Sequence, residues 1–319
     1  MTRIGVVSNP FSKRNRNGGM AAVRAVLARH PEVLHAELDK ITDMGPVFAE
    51  FARRDVGLLV VNGGDGTVQA ALTTLLSGES GFDKPPCLAI LPSGTTNVIA
   101  LDVGLKGRPP RALARLLASG GKGERVTRRT LKMTYTRDGR SPVHGMFFGA
   151  GAFYRGTLLG REKIHPLGIG QSAAAGMALG LFLLGLLVRR RRVVPLVRDD
   201  VADLRIDGVA PGGKQFIALA TTLDRLLLGF WPFWDDGRSG GFRYMAADFP
   251  PHRLGRALVP VLRGRPRPWM LEEGYVSGFA DRLSFTAHDP VVLDGEFYTP
   301  EPGTPVVLAS GSPVEFLRG

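Results

Sequence analysis

Apolar and polar positions change their period near residue 128. Before it, continuous apolar runs alternate with segments whose apolar residues recur every three or four positions, as in buried parallel strands joined by helices. Ile4–Ser8, Val56–Val61 and Leu88–Leu91 are predicted strands. They end at Asn-Pro, Gly-Gly and Pro-Ser-Gly. Met20–Arg29, Pro46–Arg53, Thr67–Leu76 and Arg111–Ala118 are predicted helices, the third with Val68, Ala71, Leu72 and Leu75 in register. Beyond the change lie short β-type runs separated by Gly, Pro and Asp: Thr130–Arg137, Val143–Phe148, Phe216–Thr221, Phe242–Met245 and Arg282–Ala287. Val306–Leu317 carries two further short strands, and no internal repeat is present. The expectation is an α/β N-terminal domain with a mostly parallel sheet (1–127), then a mainly antiparallel, sandwich-like β domain (128–319). The last strands, about 305–319, return to either domain.

Composition narrows this picture a little. A chain of 319 residues is long enough for two cored domains. A single cysteine, Cys87, excludes an intrachain disulfide framework and reads as a small buried hydrophobe. The start, MTRIGVVSNP, enters a strand-like run without a secretory signature, so a cytoplasmic location is expected. The net charge of +12 calls for an anionic partner: a nucleotide polyphosphate, nucleic acid or an acidic membrane. Nucleic acid is disfavoured, because no RNP-type motif, zinc finger or helix-turn-helix pattern occurs. Arginines cluster at Arg128–Arg129, Arg189–Arg192 and Arg253–Arg267, as a solvated face or as a membrane-attracting one.

Chemistry gathers at three strand ends: Asn9-Pro10-Phe11-Ser12, Gly63-Gly64-Asp65-Gly66-Thr67 and Pro92-Ser93-Gly94-Thr95-Thr96-Asn97. In open α/β sheets ligands bind outside the carboxyl ends of strands. Glycines let backbone N–H groups approach a phosphate, and a helix starting at Thr67 adds its positive end. An aspartate among them would repel bare phosphate. It implies a bridging Mg²⁺ or a proton-accepting role, unless Gly-Asp-Gly is only a capped turn. No Walker A motif occurs, and Gly149-Ala150-Gly151 lacks the third glycine of a dinucleotide fingerprint.

GGDGT after one strand, PSGTTN after the next and NPFS after the first resemble the diacylglycerol kinase catalytic-domain family, which includes sphingosine, ceramide and bacterial lipid kinases. Asp294-Gly295-Glu296 near the C-terminus resembles that family's DGE motif. GGDG is shared with NAD kinases and 6-phosphofructokinases; PSGTTN and the late DGE are what set this chain apart. The resemblance implies a two-domain kinase using ATP and Mg²⁺ on a lipid hydroxyl. By motif, Asn9, Ser12, Gly63, Gly64, Asp65, Gly66, Thr67, Ser93, Gly94, Thr95 and Asn97 would line the nucleotide site, with Asp65 toward the metal. Asp294 would be the general base, and Glu296 its neighbour or a metal partner. Without the resemblance, Asp-Gly-Glu is a hairpin turn. Four residues at three places depart from the family pattern. Lys13 replaces a glycine, Gln69-Ala70 stand where Asn-Glu is common, and Val98 removes a candidate carboxylate.

Leu167–Val188 is 22 residues without a charge, long enough to span a bilayer. Glycines at 168, 170, 176, 180 and 185 weaken it as an independent helix. A single span would also leave Asp65 and Asp294 on opposite sides of the membrane. The resemblance implies instead a helix packed over the sheet of the second domain, the alternative being one that docks peripherally on an anionic membrane. Leu226–Trp234 (LLLGFWPFW) is core or part of the same lipid-facing surface. Three functions follow: a lipid kinase, a soluble-metabolite kinase of the NAD kinase type, and a non-catalytic lipid- or nucleotide-binding relative. The apolar helix and DGE favour the first.

Overall fold

A computed structural model describes residues 2–137, 142–164 and 200–319. The apolar segment 167–188 and Arg189–Arg192 lie outside these residues. The chain divides into two compact units, Met1–Thr130 with Ser312–Gly319, and Leu131–Gly311.

The first unit is a parallel α/β sheet. Its elements are β1 (Arg3–Ser8), α1 (Met20–Leu27), β2 (Leu34–Glu37), α2 (Met44–Arg53), β3 (Val56–Gly63), α3 (Asp65–Leu76), β4 (Cys87–Pro92), α4 (Val98–Val103) and α5 (Pro109–Ala118), and β5 (Glu124–Thr134) begins here. β1 pairs in parallel with both β2 and β3, and β3 with β4. The strand order is therefore β2-β1-β3-β4, and it reverses between β1 and β3. That reversal opens a crevice outside their carboxyl ends, where doubly wound sheets bind ligands. Alternation along the strands covers both faces. Val6, Val60 and Ala89 pack with Val23 and Leu27 of α1 and Leu113 and Leu116 of α5. On the other face the ring of Phe51 lies so close over Gly5 that a Cβ there would sit 2.8 Å from it. Cys87 is buried in this core, and burial pushes its thiol up to about 11.

The second unit is mainly antiparallel. It contains β6 (Val143–Gly145), β7 (Phe147–Gly151), α6 (Ala152–Ile164), β8 (Val201–Ile206), β9 (Gln215–Thr221), β10 (Phe242–Asp248), α7 (Leu254–Leu262), α8 (Pro268–Glu272), β11 (Tyr275–Ala280), β12 (Arg282–Ala287), β13 (Val291–Leu293), β14 (Glu296–Tyr298) and the first part of β15 (Val306–Arg318). β9 lies between β7 and β10, antiparallel to both. Alternating residues of β9 and β10 feed two cores. Ala218, Ala220, Tyr244 and Ala246 join Phe148, Phe285 and Leu293. Leu219, Met245 and Ala247 join Ala257 and Val261 of α7 and Met270 of α8. Phe233 is buried in this second core with Trp231 and Trp234 against it, so most of the Leu226–Trp234 run is packing; Leu228 is exposed.

Several elements differ from their sequence signal, each for a local reason. β15 is one strand of thirteen residues where two were expected, because Ser310–Pro313 reads as a break. β2 carries only half-buried positions and shows no clean alternation. α4 is six residues long, too short to display a helical period. No described helix is long and apolar enough to cross a membrane.

Candidate functional site

The three loops at the carboxyl ends of β1, β3 and β4 are tied together by Asn62, the next-to-last residue of β3. Its amide nitrogen donates to Ser8 Oγ at 3.1 Å, and its side-chain oxygen accepts from the Ser93 hydroxyl. Its backbone oxygen accepts the Asn9 N–H at 2.9 Å. Asn62 is fully buried, so each of these bonds satisfies a group that would otherwise be costly. Asn15, also buried, donates from Nδ2 to Asn9 O at 2.7 Å. Asn9 spends its side chain locally: Nδ2 donates to Thr67 Oγ1 at 2.9 Å, and Oδ1 accepts the Phe11 N–H at 2.9 Å. Neither Asn62 nor Asn15 belongs to the motifs read from the sequence. For Asn62 the available signal was an amide directly after the apolar run Val56–Val61, immediately before the glycines.

The glycines serve close packing of loop on loop. A Cβ on Gly94 would lie 2.4 Å from Gly64 Cα, and one on Gly63 would lie 2.4 Å from Thr67 Cβ. Gly94 thus abuts the neighbouring GGDGT loop, and Gly63 abuts the Thr67 side chain of its own loop. Gly94→Ala is therefore expected to force the GGDGT and PSGTTN loops apart, at about 1–3 kcal/mol as in other overpacked sites. Thermal unfolding measures that loss; an unchanged midpoint would show that the loops give way freely.

Asp65 joins the same two loops through its carboxylate. Oδ2 accepts from Thr96 Oγ1 at 2.7 Å and from the Val98 N–H at 3.1 Å, while Oδ1 accepts the Ile99 N–H at 3.0 Å. These are donors at the start of α4, so Asp65 caps that helix from a distance in sequence. Burial pushes its carboxyl above the usual range, and the bonds from Thr96, Ile99 and Val98 pull it back. Asn97 holds the cap residue's left-handed conformation, with φ of 54°, and grips Gly94 through Oδ1 at 2.8 Å and Nδ2 at 3.1 Å. Beyond α4's first turns, buried Asp102 takes a two-pronged bond from Arg128, at 2.8 and 3.2 Å. Arg14 crosses from the first loop to the third, donating to Pro92 O at 2.9 Å.

Ser12, Gly64, Gly66, Thr95 and Asn97 are half-buried along this crevice, beside the N-terminus of α3. That helix end and its free N–H groups favour a phosphate. A protein-held Mg²⁺ fits these residues poorly: Asp65 has both oxygens hydrogen-bonded by the chain, and no three His, Cys, Asp or Glu side chains among the described residues cluster for a metal.

Asp294 and Glu296 sit in the second unit, at the tight turn between β13 and β14. Asp294 and Gly295 have φ of 49° and 89°, the left-handed pair a two-residue hairpin requires. The Asp294 carboxylate is buried. Its Oδ1 accepts the Phe147 N–H at 2.9 Å, and its Oδ2 the Met146 N–H at 2.9 Å. Gly145 must lack a side chain here, since a Cβ would meet Asp294 Oδ2 at 2.4 Å. Glu296 opens β14 and is exposed.

A family model for the diacylglycerol kinase catalytic domain matches residues 3–126. A Stenotrophomonas maltophilia protein named "Probable lipid kinase YegS-like" is 39% identical over 66 residues, 21% of this chain and 21% of its own. A Yersinia pestis protein of the same name is 35% identical over 102 residues, 25% of this chain and 34% of its own. The matches thus span about a fifth and about a third of these relatives. A diacylglycerol kinase structure from Bacillus anthracis str. Sterne superposes with a TM-score of 0.63 at 14% identity, over 99% of this chain and 97% of that one. Another structure from that organism reaches 0.68 at 16% identity with the same coverage, so the fold is shared. Residues 3–126, which carry the three crevice loops, are similar in sequence to the diacylglycerol kinase catalytic domain.

Proposed function

We propose that this protein is an ATP-dependent lipid kinase acting on the hydroxyl of a diacylglycerol-like or sphingoid lipid. The observation that carries the proposal is the crevice at the strand-order reversal, where Asn62 and Asp65 lock three loops beside the start of α3. A rigid, N–H-rich crevice is what phosphoryl transfer asks of a protein, since its catalysis is mostly positioning and charge stabilisation. The lipid hydroxyl oxygen bonds to the γ-phosphorus, the bond from that phosphorus to the β,γ-bridging oxygen breaks, and ADP leaves. The hydroxyl proton goes to Asp294, the role its motif implies. Mg²⁺ enters this proposal as the nucleotide's counter-ion, with no side chain assigned to it.

The test is turnover of labelled ATP in mixed micelles containing diacylglycerol, a sphingoid base or no lipid, with NAD as a soluble acceptor. Labelled phospholipid with a lipid acceptor is the expected product. Labelled NADP would favour the soluble-metabolite kinase, and no transfer to any acceptor the non-catalytic relative.

A further inference from the structure

The segment of α7 and α8 carries an arginine-rich surface apart from the crevice loops. Arg256, Arg263, Arg265 and Arg267 line a cavity of about 440 Å³ together with Val259, Pro260 and Trp269. All four arginines are exposed, and none has an ion-pair partner among the described residues. The one nearby acid drawn to a cation, Glu273, is taken by Arg253 at 3.2 Å and His252 at 3.8 Å. Val259 stands out among these charges, 54% exposed, and Leu271 of α8 is 71% exposed.

The segment from α7 to α8 is firmly based. Gly264 has φ of 57°, and a Cβ there would strike Phe233 O at 2.4 Å. The Trp231 N–H donates to Leu262 O at 2.9 Å. Beneath, Ala257, Val261 and Met270 share a core with Phe233. The guanidiniums are thus carried on a packed scaffold.

We infer that this face docks the protein on an anionic phospholipid membrane. Guanidiniums fork onto phosphate oxygens in pairs, and four of them line the cavity. The apolar lining, with Val259 exposed in it, is of no use to free phosphate. It fits the acyl boundary just below the head groups, where amphipathic segments with basic margins settle. The inference rests on the lipid-kinase proposal only for its purpose, since docking would bring the protein to a membrane-resident substrate.

The experiment is flotation of the full chain, without ATP, on phosphatidylcholine vesicles with and without phosphatidylglycerol. Binding is expected only when phosphatidylglycerol is present. A variant carrying Arg256→Gln, Arg263→Gln, Arg265→Gln and Arg267→Gln should bind at least about tenfold more weakly, since a basic residue near an anionic surface is worth roughly fivefold. Exposed positions tolerate such changes, and circular dichroism checks the fold. A second variant, Val259→Ser with Leu271→Ser, should also weaken binding and reads the surface without touching its charge. Unchanged flotation of both variants overturns the inference, as does equal binding to vesicles lacking phosphatidylglycerol. Complete displacement by millimolar glycerol phosphate would mean that a soluble phosphate is the ligand, and also overturns it. Vesicle binding through these arginines by a protein that phosphorylates no lipid would end the kinase proposal and leave this surface standing.

Discussion

Asp294→Asn is expected to lower lipid phosphorylation by at least about two orders of magnitude, the usual consequence of removing a general base. Asparagine is the informative replacement. It tolerates the left-handed conformation Asp294 adopts, so the turn to Gly295 survives. Its amide oxygen still accepts the Phe147 N–H, but the amide nitrogen meets the Met146 N–H donor to donor. Leaving that buried N–H unpaired costs about 1–3 kcal/mol. The variant should therefore melt at a lower temperature and still fold. Two measurements separate the roles: turnover corrected for folded fraction, and ATP affinity. A base predicts lost turnover with ATP affinity kept, because the phosphate-crevice loops lie in the other unit. Turnover within about tenfold of the wild type, once corrected for folding, would reduce Asp294 to a turn residue that anchors β7.

The architecture was legible where pattern and burial agree. In Val56–Gly63, every position but Gly57 is buried, and the short apolar run Val56–Val61 ending in glycines had the form of an inner strand. In α3 the apolar register and the preceding glycines place the helix directly after the turn. What stayed hidden depended on contacts far apart in sequence. α6, α7 and α8 lie among Gly-, Pro- and Arg-rich stretches that read as connections, and only packing against β9 and β10 makes them helices. The site shows the same division. Its loops announce themselves through glycine and proline, yet the residues that fix their mutual position, Asn62 and Asn15, carry no motif. Asp65 was visible as a charge among glycines. Its role depends on Thr96, Val98 and Ile99, more than thirty residues away. Val98, which looked like a lost carboxylate, contributes through its backbone N–H.

Asp65→Ala is expected to damage the phosphate crevice more than any other single change in the first unit. It leaves the Thr96 hydroxyl and the Val98 and Ile99 N–H groups without their acceptor at the start of α4. Loss of a helix cap alone costs about 0.5–2 kcal/mol. Each donor left buried without a partner adds about 1–3 kcal/mol. The PSGTTN loop would then be held mainly by Asn97 on Gly94, Ser93 on Asn62 and Arg14 on Pro92. ATP affinity should fall at least tenfold with the lowered melting temperature. Asp65→Asn distinguishes the clasp from a metal ligand. The amide oxygen keeps the Ile99 bond, and the amide nitrogen can donate to the Thr96 hydroxyl, so only the Val98 N–H is stranded. A clasp therefore predicts a graded series, wild type above Asn above Ala, both in melting temperature and in ADP binding measured without divalent metal. A metal ligand predicts that Asn and Ala lose Mg²⁺-dependent binding alike, with metal-free ADP affinity untouched. Metal-free binding is decisive here, because the hydrogen bonds that hold the two loops together exist before any ion arrives.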